Sequence, residues 1–96
     1  MPKTGSRRFI RVCHEDHWYE ITVPQWRAFD LLSPQWMWIK WKVIHFNTRL
    51  GLERQGWAEF RNVSGTLQVR LTPLGLIIRD KVELRLAQRR DRELRR

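Results

Sequence analysis

The sequence predicts one small α+β domain in which two β-hairpins alternate with helices. Three observations carry that expectation. "RFIRVC" with "WYEITV", and "WAEF" with "TLQVRLT", alternate apolar and polar side chains about short polar turns, the period-2 pattern of half-buried hairpins. Each hairpin then meets a proline shortly after a threonine, Thr22 before Pro24 and Thr72 before Pro73, as at a helix start. Between them lies a stretch whose large apolar residues recur at helical spacing.

Taken in order, Arg8–Cys13 pairs with Trp18–Val23 across the loop His14–His17, with Ile10 and Val12 sharing a face with Tyr19, Ile21 or Val23. Thr22 caps a short helix from Pro24 to Leu32 that turns Trp26, Phe29 and Leu32 inward. Ser33 as N-cap and Pro34 at N1 start a second helix running toward Gln55, where Gly56 supplies the stop. Gly51 lies inside it and weakens it by about 1 kcal/mol relative to alanine, so a break there is possible. On a helical projection Trp36, Ile39, Val43, Phe46 and Leu50 form one core-facing stripe. Trp38, Trp41, His45 and Leu52 fall on the opposite side, beside Lys42 and Arg49. The first hairpin, a partner subunit or a nucleic acid would have to cover that second face. In the second hairpin Ala58 and Phe60, then Leu67, Val69 and Leu71, form the apolar face. Trp57, Glu59 and Arg61, then Gln68, Arg70 and Thr72, form the other. Thr72-Pro73 opens a last helix with Leu74, Ile78, Val82 and Leu86 on one side, ending in the solvated basic run "RRDRELRR". The domain is taken as residues 1–96, with 1–6 and about 88–96 flexible.

Composition narrows the class. Apolar residues at 42% suffice for a core in 96 residues, and charged residues at 30% argue against a membrane protein. No apolar run approaches the roughly 20 residues of a spanning helix, and "MPKTGSRRF" lacks the apolar stretch of a signal peptide. A single cysteine, Cys13, permits no internal disulfide, and a cytoplasmic protein is expected. Nineteen Lys and Arg stand against ten Asp and Glu, a net charge of +9. All but Lys3, Lys40, Lys42 and Lys81 of the nineteen are arginine, the side chain suited to two-point contact with phosphates and base edges. A polyanion is the leading partner.

The order helix, tight turn, longer helix, hairpin, helix carries a family resemblance. "ITVPQWRAFDLL" is similar to the opening helix of a winged helix-turn-helix domain of MarR-like bacterial regulators. "NTRLGLERQGWAEF" resembles the end of a recognition helix passing into the first wing strand. "VRLTPLG" resembles the second wing strand and the helix after it, and its Leu71–Gly75 segment is the most specific piece. The resemblance spans about residues 21–80. It departs from the family between Leu32 and Trp36, where no separate scaffold helix fits. Either Pro24–Leu32 is the first helix of a shortened helix-turn-helix, with Ser33-Pro34 as its turn, or the DNA-reading geometry is lost. The N-terminal hairpin is an addition.

The resemblance implies a small winged-helix-like domain that binds double-stranded DNA, as a transcription regulator or a phage or mobile-element protein. The long helix would enter the major groove and the wing would touch the backbone. The solvent-facing candidates are Lys42, His45, Thr48 and Arg49 on the helix, and Arg61, Asn62, Ser64 and Arg70 on the wing. A homodimer through the C-terminal helix is expected. The alternative is a protein–protein interaction module on the same frame, docking a partner on the Trp38/Trp41 face. Arg49, Arg61 and Arg70 gathered on one surface would favour DNA; scattered cations with exposed tryptophans would favour the partner. "CHEDH" is the only segment resembling a metal site, and it lacks the paired ligands a closed zinc site needs, so neither a metal nor a cofactor is expected. No phosphate-cradling glycine loop or nucleophile–base spacing suggests an enzyme.

Overall fold

The computed structural model describes residues 9–94, and the expectation for residues 1–6 lies outside them. Strands β1 (Phe9–His14) and β2 (His17–Thr22) form a two-stranded sheet, followed by α1 (Val23–Phe29), a short β3 (Met37–Ile39), α2 (Phe46–Arg54), β4 (Ala58–Val63), β5 (Thr66–Leu71) and α3 (Pro73–Leu94). The second sheet has the order β3-β5-β4, antiparallel throughout. An α+β domain with two hairpins and three helices is therefore the architecture.

The first hairpin has the expected faces. Ile10 pairs with Ile21 and Val12 with Tyr19, so one side of the ribbon is apolar and rests on α3 and α1. Its loop is two residues shorter than expected: His14 pairs with His17 and only Glu15-Asp16 turn the chain, both in the left-handed region. Thr22 caps α1 reciprocally, with the Gln25 amide N–H donating to Thr22 Oγ1 (3.4 Å) and Thr22 N–H donating to Gln25 Oε1 (2.9 Å).

The long helix from Pro34 to Gln55 is replaced by a strand, a turn and a nine-residue helix. "WMWIKW" holds aromatic and β-branched residues that suit a pleated surface as well as they suit a helix. Here Met37 and Ile39 face the core opposite Val69 and Leu67, while Trp38 points outward. The helical stripe is accordingly absent. Val43 and Phe46 are exposed, and Ile44 and Leu52 are the buried residues of this stretch.

α2 ends in a Schellman motif. Gly56, at φ +76°, donates to the Glu53 carbonyl (3.0 Å), and Trp57 N–H donates to the Leu52 carbonyl (3.0 Å). Leu52 and Trp57 are both wholly buried. This corrects the placement of Trp57 on the polar face of the hairpin: it precedes the strand and belongs to the helix stop. It anchors the core beside Phe29 and Tyr19.

Ile78 and Val82 of the last helix are buried and Leu74 and Leu86 half-buried, packed on the domain's own core. The Leu74–Leu86 stripe is thus not free to pair with a second copy. α3 continues to Leu94, with residues 87–92 exposed. Among the described residues no helix is long and apolar enough to cross a membrane.

Candidate nucleic-acid interface

The three-stranded sheet divides the candidate residues between its two faces. On the outer face, cross-strand rows place Arg70 opposite Glu59, and Arg61 beside Gln68 with Trp38 on the far side. Arg70 Nε contacts Glu59 Oε1 at 2.8 Å, and Arg61 Nε donates to Gln68 Oε1 at 2.7 Å. Trp36, just before β3, is shared by both arginines, whose guanidinium carbons lie 3.9 Å (Arg61) and 4.7 Å (Arg70) from its ring centroid. Cation–π contact and the neighbouring acceptors hold two flat cations beside one indole, on a rigid strand pair.

Arg49 lies elsewhere. Its side chain is 16% exposed, with its guanidinium 5.3 Å from the Trp41 ring, 5.0 Å from Phe46 and 5.8 Å from Phe60, an inward-facing residue of β4. Its Nε is buried without a hydrogen-bond partner. Arg49 therefore fastens α2 to the inner side of the β4–β5 hairpin. The arginines do not gather: Arg61 and Arg70 share the outer face, and Arg49 is caged on the other.

The remaining candidates have varied roles. His45 is the N-cap of α2, its Nδ1 accepting from Asn47 N–H at 3.1 Å. Lys42 is exposed in the turn before α2, and Thr48 is half-buried. Asn62 accepts from Gly65 N–H at 2.8 Å, tying the wing tip. Ser64 and Gly65 form that tip, both at positive φ (52° and 80°), as a two-residue hairpin turn of type I′ requires.

Sequence reasoning missed Trp36 and Phe46, assigned to a core stripe, and Lys40. A period of two through Trp36, Trp38 and Lys40 fits one face of a strand, but it competes with the helical period over the same residues. Of the second face Leu52 lies in the core, whereas neither the first hairpin nor the core covers Trp38 and Trp41. Trp38 is 58% exposed, Trp41 49% and Phe46 56%. Trp41 indole N–H donates to the Gly65 carbonyl at 3.5 Å, so the turn before α2 reaches the wing tip. Among the described residues no group of three or more His, Cys, Asp and Glu side chains is placed to hold a metal ion.

No family model matches the chain, and no curated protein or solved structure is significantly similar to it.

Proposed function

We propose that this domain binds double-stranded DNA on a winged-helix-like frame, with α2 facing a groove and β4–β5 as the wing. The observation that carries the reading is topological. Helix, short strand, helix and hairpin follow one another, and the short strand pairs with the second arm of the hairpin, giving β3-β5-β4. That arrangement supports a wing held at a fixed angle to the helix before it. The charge of +9 adds the polyanion preference. The separation of the arginines removes a single cationic surface from the scheme. In its place stand two separate sets of cations, Arg61 and Arg70 on the outer face of the ribbon and Lys42 in the turn before α2. A major groove admits an α-helix, and the phosphates that wall it are the partners of the ribbon's outer cations and of Lys42.

A second reading has its own observation. Trp38 and Trp41 are exposed on one groove, and Phe46 is exposed across the Arg49 guanidinium from Trp41, which favours a protein-docking face, as expected for scattered cations with bare indoles.

Titration with random duplex across a salt series separates the two. Deleting a cation that neutralises one phosphate should lower the slope of log K against log salt by about 0.9. Arg61→Ala with Arg70→Ala should flatten it by about 2, and Lys42→Ala by about 1. Slopes unchanged in both variants would reject the DNA reading.

A further inference from the structure

We propose that the groove between Trp38 and Trp41 at the wing tip takes an unpaired base of a single-stranded nucleic acid. The groove has a volume of about 440 Å³ and is lined by Trp38, Ile39, Lys40 and Trp41 on one side and by Gly65–Leu67 on the other. That volume lies within the range of small-ligand clefts, roughly 300–1,000 Å³. Two half-exposed indoles wall it, and both are held by structure. Trp38 sits at the centre of β3, opposite Gln68. Trp41 is tethered at its N–H to the Gly65 carbonyl and carries the Arg49 guanidinium over its ring. Little side-chain freedom remains to be lost on binding.

The occupant follows from chemistry. Every base has a π-face, and stacking on aromatic side chains is tolerant of sequence. Lys40 stands in the wall of the groove and Lys42 is exposed one residue beyond Trp41, so cation and indole alternate along Trp38-Lys40-Trp41-Lys42. That alternation matches a chain in which flat bases alternate with phosphates. An acidic peptide would meet the lysines and leave both indoles in water. The outer sheet face continues the pattern, since Trp36 with Arg61 and Arg70 lies on the same side as Trp38. The proposal shares only its charge argument with the duplex reading.

The test uses the full chain with oligo-dT of about a dozen nucleotides, an abasic oligomer of equal length, polyglutamate and random duplex. Binding of oligo-dT should quench tryptophan emission in the wild type and much less in Trp38→Ala with Trp41→Ala. That double variant should bind oligo-dT about five- to hundredfold more weakly while its affinity for the abasic oligomer stays the same. Trp38→Phe with Trp41→Phe, which keeps a stacking face, should recover most of the loss. Equal affinity for oligo-dT and the abasic oligomer, or oligo-dT binding unaffected in the alanine variant, overturns the proposal. So does loss of polyglutamate binding alone in that variant, which would assign the groove to an acidic protein. Duplex binding reports separately. If it fails while oligo-dT quenching persists, the duplex reading falls and this one stands.

Discussion

Gly75 should be the least replaceable glycine among the described residues. A Cβ built there would lie 1.9 Å from the Trp57 carbonyl oxygen and 2.8 Å from its carbon, both backbone atoms. That carbonyl already accepts from Thr72 N–H at 3.1 Å, while Thr72 Oγ1 donates to the Gly56 carbonyl and accepts from Gly75 N–H at 3.0 Å. Nothing on either side is a flexible side-chain end, so relief requires lifting the first turn of α3 off the wing base by more than an ångström. Overpacking of this kind costs about 1–3 kcal/mol or more, against a gain in helix propensity of about 1 kcal/mol for Gly→Ala. Breaking the Thr72 bonds adds roughly 1 kcal/mol for each. Gly75→Ala should therefore lose at least about 2 kcal/mol, a fall in Tm of roughly 8–16 °C for a domain of this size. Gly51→Ala is the internal control. There the Cβ meets only Gln25 Nε2, at 2.9 Å, the movable end of a side chain. Its Tm should stay within a few degrees of wild type or rise. Thermal unfolding followed by circular dichroism measures both. A Gly75→Ala protein as stable as wild type, or one more stable than Gly51→Ala, would refute the close approach of α3 to the wing base.

Three further outcomes follow from named contacts. Glu15 and Asp16 turn the first hairpin at φ 50° and 64° without a glycine; Glu15→Asn with Asp16→Gly should raise stability by about 1–2 kcal/mol in denaturant unfolding, and a decrease would show that the turn is not of type I′. Arg49→Ala should cost about 1–2 kcal/mol by removing packing against Trp41, Phe46 and Phe60, yet leave the salt slope of duplex binding unchanged; a slope lowered by about 1 would return Arg49 to the phosphate-contacting set. Trp57→Ala should cost about 3–5 kcal/mol, and Trp57→Phe well under that because it also removes an indole N–H buried without a partner; equal losses in urea melts would remove Trp57 from the centre of the core.

The parts of the fold legible in the sequence are those fixed by local chemistry. Thr22 and Thr72 announce helix starts through side-chain bonds to backbone within three residues. Ile10, Ile21, Leu67, Val69 and Leu71 alternate in segments with one apolar face, which leaves little choice of register. The stretch from Pro34 to Gln55 resisted because its apolar residues satisfy two periods at once. Ile39 belongs to the inner face whether the chain is helix or strand, but Trp36 and Val43 change sides between the two. Pairing with β5, more than thirty residues downstream of Trp36, decides between them, and no local pattern encodes it. The candidate site failed at the same place. Lys42, Arg61 and Arg70 are surface cations under either reading, whereas the caging of Arg49 and the exposure of Trp38 and Trp41 depend on where β3 ends and α2 begins.

The chain between β3 and α2 has a packing role that bears on function. From Lys40 to His45 it closes a turn, with Val43 N–H donating to the Lys40 carbonyl at 3.1 Å, and drives Ile44 into the core. One bulky residue at each end then fixes the turn: Ile44 beneath, and Trp41 hooked to the wing tip through Gly65. A hairpin restrained only at its base would swing, because an isolated two-stranded ribbon is marginal in water. Here β5 is flanked by β3, the tip is held by Trp41, the inner face is fastened by Arg49, and the base is locked to α3 at Gly75. Four restraints on one ribbon of two six-residue strands leave Arg61 and Arg70 on its outer face at a fixed separation. Fixed spacing is what contact with a regularly repeating backbone of phosphates rewards, since the ordering of the binding surface is complete before the ligand arrives.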